Sequence, residues 1–185
     1  MDFIQNIDNK ILFAIQNLHY PVLDQIMIFI TKLGNIGFIW FLITIILLTT
    51  KKYRRYGLIL CISICISVFL GNFLLKPLIA RVRPCDTFTD IPLLIQNPEE
   101  YSFPSGHATS SFAAATVLFF SNKKWAVWAF LLAALISFSR VYLFVHYPSD
   151  IIGGAILGIG VSLLIVYGFK IIMPPSKHIH QKRFH

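Results

Sequence analysis

An all-α fold, a polytopic integral-membrane helix bundle, is what this 185-residue sequence predicts. Three observations carry that expectation. Hydrophobic side chains make up 56% of the chain against 13% charged, and the mean hydropathy is +0.71, which excludes an ordinary soluble domain of this length. The apolar residues gather into runs long enough to cross about 30 Å of hydrocarbon. The charges fall at the ends of those runs. A single domain over 1–185 is expected, with an interfacial helix at 1–21, the bundle at 22–172 and a basic cytoplasmic tail at 173–185.

The first element, residues 2–20, sets Phe3, Ile4, Ile7, Ile11, Leu12 and Ile15 among Gln5, Asn6, Asp8, Asn9, Lys10 and Gln16. That spacing is the one of an amphipathic helix lying on a membrane surface rather than crossing it. The segment has no basic start, unbroken apolar core and small-residue cleavage site, so no cleaved signal peptide is expected. Five crossings follow: Val22 or Gly34 to Thr50, Tyr56 to Leu75, His107 to Ser121, Trp125 to Val145, and Ile151 to Ile172. Asp24 and Lys32 bracket a short apolar run at the start of the first of these, which makes a sixth, separate dip possible. The connection from Cys85 to Phe103 carries Pro92, Pro98 and four acids and is expected to lie outside, over the mouth of a site. The tail is basic with three histidines, suited to cytoplasmic charge and lipid contact rather than to a metal.

Charge orients the bundle. With five crossings, Lys51, Lys52, Arg54, Arg55, Lys123, Lys124, Lys170, Lys177, Lys182 and Arg183 share one side, the cytoplasm by the positive-inside rule. All eight acids (Asp2, Asp8, Asp24, Asp86, Asp90, Glu99, Glu100 and Asp150) fall on or at the other. The net charge of +8 does not point to nucleic acid, because the basic residues form no stripe with interleaved aromatics. Anionic lipid and anionic substrate are the expected partners. The three cysteines, Cys61, Cys65 and Cys85, give no disulfide framework and are expected to be structural.

Polar chemistry is confined to three segments, all on the outer side. Lys76 and Arg83 flank a helix exit punctuated by Pro77 and Pro84, and Arg83 before proline is held extended. Pro104-Ser105-Gly106-His107 precedes a small-residue run, so a helix begins there. Its free amides, with Gly106 allowing close approach and Ser105 capping the helix or donating its hydroxyl, form a cradle for an anion. In the third segment, Ser139-Arg140 is followed by His146 and Asp150. Pro148 breaks the helix between them and suits the first turn of the next, which places Asp150 in that turn and His146 just before it. Asp150 is then placed to fix the tautomer of His146, leaving its other nitrogen free to attack phosphorus. Arg83 and Arg140 offer paired hydrogen bonds to phosphate oxygens, and Lys76 a point charge. Cations at helix ends in apolar surroundings are costly, which suggests function. Arg81 matches no role in this set and is expected to snorkel toward lipid headgroups.

Together the segments resemble the phosphatidic acid phosphatase type 2 superfamily, which also contains glucose-6-phosphatases and vanadium haloperoxidases. Lys76 to Arg83-Pro84 fits its first motif, Pro104 to His107 its second, and Ser139-Arg140, His146 and Asp150 its third, over about Tyr56 to Ile172. The resemblance implies hydrolysis of a phosphate ester without metal or other cofactor. His146 would be the nucleophile, Asp150 its orienting partner and His107 the acid for the leaving oxygen. Lys76, Arg83, Ser105, Gly106 and Arg140 would hold the phosphoryl oxygens. Undecaprenyl diphosphate is the substrate it points to first. Phosphatidic acid, phosphatidylglycerol phosphate, diacylglycerol pyrophosphate and lipid A are compatible with the same residues. The residues agree on their own terms: fixed cations and amides suit the spread charge of a phosphoryl transition state, and no carboxylates have the spacing for two metals. An anion transporter would also place cations at helix ends, but it needs no nucleophile beside a carboxylate, and no inverted repeat is visible. A silent lipid-binding protein would be expected to lack a catalytic position, and none is missing. The sequence sets no oligomeric state.

Overall fold

The computed structural model describes residues 2–172, and the basic tail at 173–185 lies outside the described residues. Every regular element among the described residues is helical. Helix α1 spans Asp2–Gln16. Helix α2, Pro21–Gly34, opens on Pro21, whose missing N–H costs nothing in a first turn, with Asp24 there and Lys32 in the last turn complementing the helix dipole. A three-residue 3₁₀ turn at Asn35–Gly37, where Ile36 and Gly37 take φ of 54° and 68°, separates it from α3, Phe38–Thr49. Taken together, Pro21–Thr49 makes a stretch of 29 residues apolar enough to cross a membrane.

Helix α4, Arg54–Phe69, continues through a π-helical segment at Leu70–Leu75 into the short α5, Lys76–Ile79. Pro77 explains the wide turn: it has no N–H to offer Phe73 and its ring crowds that carbonyl, so the N–H of Lys76 reaches back to Gly71 instead. Ala80 turns the chain out in the left-handed region at φ 48°, and Arg83 is extended before α6, Pro84–Thr87. Helices α7 (Gly106–Ser121), α8 (Lys123–Tyr142) and α9 (Pro148–Ile172) complete the bundle. Among the described residues four segments, Pro21–Thr49, Arg54–Thr87, Lys123–Tyr142 and Pro148–Ile172, are long and apolar enough to cross a membrane.

The shorter α7 is the axis, enclosed by α4, α8 and α9. Its small residues let α9 approach closely: a methyl at Gly158 would collide with the Thr109 carbonyl and one at Gly154 with the Ser105 carbonyl. Ser162 Oγ donates to the Ala113 carbonyl at 3.1 Å across that seam, and Trp40 Nε1 donates to Ser111 Oγ at 2.9 Å from α3. A core of Trp40, Leu47, Ile59, Leu60, Val117 and Ile136 fills the middle. A second cluster of Leu12, Met27, Cys85, Tyr142, Phe144 and Tyr147 lies at one end, with Phe88, Ile91, Leu93 and Ile95 from the long connection packed against it.

The opposite end collects the basic residues. Arg55 donates to the Phe169 carbonyl at 2.5 Å, and the Tyr53 and Trp125 rings lie 4.8 Å apart, which brings Lys51, Lys52, Lys123, Lys124 and Lys170 to one pole. Helix α1 packs against the bundle. It ends at Gln16 and buries Leu12 and Asp8 against α8 and α9, leaving Phe3, Ile4, Ile7 and Ile11 exposed. The packed face thus carries Gln5, Asp8 and Gln16 beside Leu12 and Ile15, and the apolar stripe next to it is free for lipid.

Candidate active site

Five stretches of chain meet at the end away from the basic pole. His146 stands in the tight turn between α8 and α9, which Phe144 closes at φ 62°. The imidazole is buried, with Nε2 3.1 Å from Arg83 NH1 and Nδ1 3.5 Å from Asp150 Oδ2. Since a guanidinium only donates, Nε2 is the bare nitrogen and Nδ1 carries the proton toward Asp150. Burial pushes this imidazole down to about 3, although Asp150 pulls the other way, so the ring is neutral at ordinary pH.

Asp150 is fully buried in the first turn of α9. Its Oδ2 accepts from Ser102 Oγ at 2.5 Å and the Tyr147 amide at 2.8 Å, and its Oδ1 from Arg81 NH1 at 2.6 Å. Ser102 Oγ also lies 3.4 Å from His146 Nδ1, bridging carboxylate and ring.

Arg83 is held at 3% exposure by the carbonyls of Glu100 and Val145, at 2.6 and 2.7 Å, and by that of Tyr101. Arg140, at 5%, donates to Thr31 Oγ1 at 2.7 Å while its Nε has no partner. Among the described residues neither guanidinium forms an ion pair with a carboxylate. Lys76 is buried close enough to both to repel them, and its ammonium is paired with the exposed carboxylate of Glu100. Three buried cations, of which only Lys76 is paired with a carboxylate, form a site short of negative charge, a costly arrangement unless an anion completes it.

The start of α7 faces this group. Ser105 is its N-cap, yet the Ser105 hydroxyl makes no capping bond and is buried without a partner among the described residues. Its amide donates to the Asp150 carbonyl at 3.1 Å, fixing α7 to α9 at the site. Asn72 Oδ1, from the π-helical segment, is also buried without a partner and lies against Gly106. His107 Nε2 donates to Asn35 Oδ1 at 3.0 Å, in the break between α2 and α3, and lies within electrostatic reach of His146, Arg83 and Arg140. The unpartnered Ser105 hydroxyl and Arg140 Nε suit an oxyanion.

All eight candidates, Lys76, Arg83, Ser105, Gly106, His107, Arg140, His146 and Asp150, are thus gathered at one end of the bundle. Arg81 corrects the sequence reading. It does not snorkel: the left-handed turn at Ala80 directs it inward, where it pairs with Asp150 and with Asp8 at 2.6 and 2.7 Å and stacks on Tyr147 at 4.1 Å. Sequence reasoning also passed over Ser102, Glu100, Asn35, Asn72 and Asp8. Of these only Asp8 carried a signal, an acid four residues before Leu12 and seven before Ile15 on the packed stripe of α1.

Comparison with known proteins agrees with the geometry. Residues 56–173 match the model of the PAP2 superfamily. An undecaprenyl-diphosphatase of Sulfolobus acidocaldarius is 37% identical over 165 residues, 88% of this chain and 79% of that protein. A lipid A 4'-phosphatase of Bacteroides thetaiotaomicron is 29% identical over 170 residues, 85% of this chain and 75% of that one. The crystal structure of a transmembrane PAP2-type phosphatidylglycerolphosphate phosphatase from Bacillus subtilis superposes with a TM-score of 0.78 at 30% identity, covering 97% of this chain and 90% of that one.

Proposed function

The chain belongs to the PAP2 superfamily and is a multi-pass membrane phosphatase, and on that premise we propose that it hydrolyses undecaprenyl diphosphate to undecaprenyl phosphate through a phosphohistidine on His146. The observation that carries the reading is the pair of buried guanidiniums without a carboxylate, beside an unpartnered Ser105 hydroxyl and a neutral His146. The substrate's terminal phosphoryl oxygens take the place that this polar group leaves open. Arg83, Arg140 and Lys76 balance their charge, and Ser105 Oγ and the Gly106 amide donate to them.

Nε2 of His146 attacks phosphorus while the bond to the leaving oxygen breaks, and that oxygen takes a proton from His107. The positive charge that develops on the His146 ring is stabilised by Asp150 through the Nδ1 proton. Water then attacks the phosphohistidine, giving its proton to His107, and inorganic phosphate leaves. Most of the acceleration comes from donors fixed around the equatorial oxygens, which need no reorganisation as charge spreads over them.

Lipid substrates are the class that a site at the end of an apolar bundle suits. Among them an undecaprenyl diphosphate is favoured by the identity to the Sulfolobus protein over the alternatives that the other relatives suggest. The positive-inside rule supports a cytoplasmic basic pole, and with five crossings the site would face outward and the C-terminus inward. Single cysteines at Lys52 and Glu99 test this: only the second should react with an impermeant label on intact cells.

The deciding experiment is phosphate release by the purified protein in detergent with chelator, across undecaprenyl diphosphate, phosphatidic acid, phosphatidylglycerol phosphate and lipid A. Release that is fastest for the isoprenyl diphosphate and lost in His146→Ala is the expected result. Near-normal release by His146→Ala would refute the nucleophile, and faster release from another lipid would reassign the substrate.

A further inference from the structure

We propose that Arg81 and Asp8 are positioning residues for Asp150, so that helix α1 is a working part of the site. The inference rests on the reading of Asp150 as the carboxylate that orients His146. Asp150 has two oxygens with separate duties. Oδ2 faces the His146 ring and is steadied by Ser102 and the Tyr147 amide, while Oδ1 is held by Arg81 NH1 at 2.6 Å. Holding both oxygens fixes the rotation of the carboxylate about its own bond, and with it the aim of Oδ2.

Arg81 is itself fixed. Its NH2 donates to Asp8 Oδ2 and Gln5 Oε1, each at 2.7 Å, its NH1 also donates to Ser149 Oγ at 2.6 Å, and its plane lies over the Tyr147 ring. Asp8 closes the arrangement by accepting from the Ser149 amide at 2.9 Å and from Ser149 Oγ at 2.5 Å, at the first turn of α9. Asp8 and Asp150 are 2% and 0% exposed, so solvent screens these charges little.

The charges explain why both residues are needed. Asp8 and Asp150 carry two negative charges against the single positive charge of Arg81. One unit is left over, and it faces His146, where positive charge develops. Without Asp8, the charge of Arg81 falls wholly on Asp150 and cancels its field at the ring. Without Arg81, two buried acids repel each other and Asp150 is free to rotate or take a proton. The connection runs through α1, whose apolar stripe of Phe3, Ile4, Ile7 and Ile11, beside the packed face, is left exposed for lipid.

The test is a double-mutant cycle on the full chain in detergent, with undecaprenyl diphosphate and phosphatidylglycerol phosphate as probes. Asp8→Asn, which preserves shape, and Arg81→Gln are each made alone and with Asp150→Asn. Each single variant should lose about tenfold in kcat with KM within about twofold, a coupling ordinary for contacting buried groups, and Arg81→Lys should recover part of the loss. With Asp150→Asn already present, the further loss should vanish. Equal losses in both backgrounds, or no loss from Asp8→Asn alone, would overturn the inference. Should Arg81→Gln fail to fold, Asp8→Asn decides alone. Full turnover by Asp150→Asn would instead overturn the orienting role of Asp150, and the inference with it.

Discussion

Gly154→Ala tests how closely chemistry depends on the seam between α7 and α9. A Cβ at position 154 would stand 2.6 Å from the Ser105 carbonyl oxygen and 3.0 Å from both Ala108 Cβ and Thr109 Oγ1. Ordinary contact begins at 3.4 Å, so the helices must part by about 0.8 Å. The strain falls on backbone and short side chains, which cannot swing aside. Ser105 and Asp150 are joined at this point by the 3.1 Å bond from the Ser105 amide, so parting the helices draws the α7 cradle away from His146 and Asp150. Overpacking of this kind costs about 1–3 kcal/mol in stability. A misplacement of about 1 Å at a reacting centre costs on the order of 100-fold in rate. Chelator-resistant phosphate release should therefore drop by roughly one to two orders of magnitude, with a lower unfolding temperature followed by tryptophan fluorescence. Gly160, with nothing within 4 Å of a Cβ, is the control: Gly160→Ala should keep full activity and gain up to about 1 kcal/mol from helix propensity. Wild-type activity and stability in Gly154→Ala would refute the idea that the seam sets the site.

Three further outcomes follow from the same geometry. Glu100→Gln removes the exposed acid that competes for Lys76, so KM for a lipid phosphate should fall by up to about fivefold with kcat unchanged, the scale of an exposed ion pair. A rise in KM would mean that Glu100 aids binding. Ser102→Ala takes a hydroxyl from Asp150 Oδ2, and kcat should fall roughly tenfold or more, as for other hydrogen bonds to buried charge; steady-state rates at saturating lipid read this directly, and an unchanged kcat would remove Ser102 from the site. Because the His146 imidazole is held down to about 3, its neutral form persists as pH falls below the ordinary value of 6.5 and is lost only as pH approaches that lower figure. Rapid-quench phosphohistidine formation should accordingly persist at about pH 5, and a midpoint near 6.5 belonging to His146 would contradict its burial.

The parts of this site that the sequence makes legible are those enforced by local stereochemistry. Pro148 starts α9, which leaves His146 in the turn before it and Asp150 in the first turn. Pro84 holds Arg83 extended, and Gly106 opens α7. What sequence could not reveal depends on distance along the chain. Arg81 lies 69 residues from Asp150 and 73 from Asp8, and nothing in its neighbours distinguishes a buried anchor from a lipid-facing cation. Asn35, Asn72 and Ser102 are lone polar residues without a motif, and their roles come from helices crossing at one point. The π-helical turn was within reach, since Pro77 had to disturb the helix before it, although its consequence for Asn72 and Lys76 was not.

The bond between Asp8 and Ser149 joins positions 141 residues apart, and this bears on when the protein becomes active during its synthesis. Asp8 leaves the ribosome long before Ser149 exists, so α1 must wait, its acid unmatched, while the intervening helices enter the bilayer. Arg81 arrives earlier, but its other partner, Asp150, comes only with the last helix. The cluster can therefore close only after α9 has begun to insert, and the same event delivers His146. On the proposed mechanism, a partly inserted chain would hold the cationic cradle without its nucleophile or that nucleophile's support, able to bind lipid phosphate but not to turn it over.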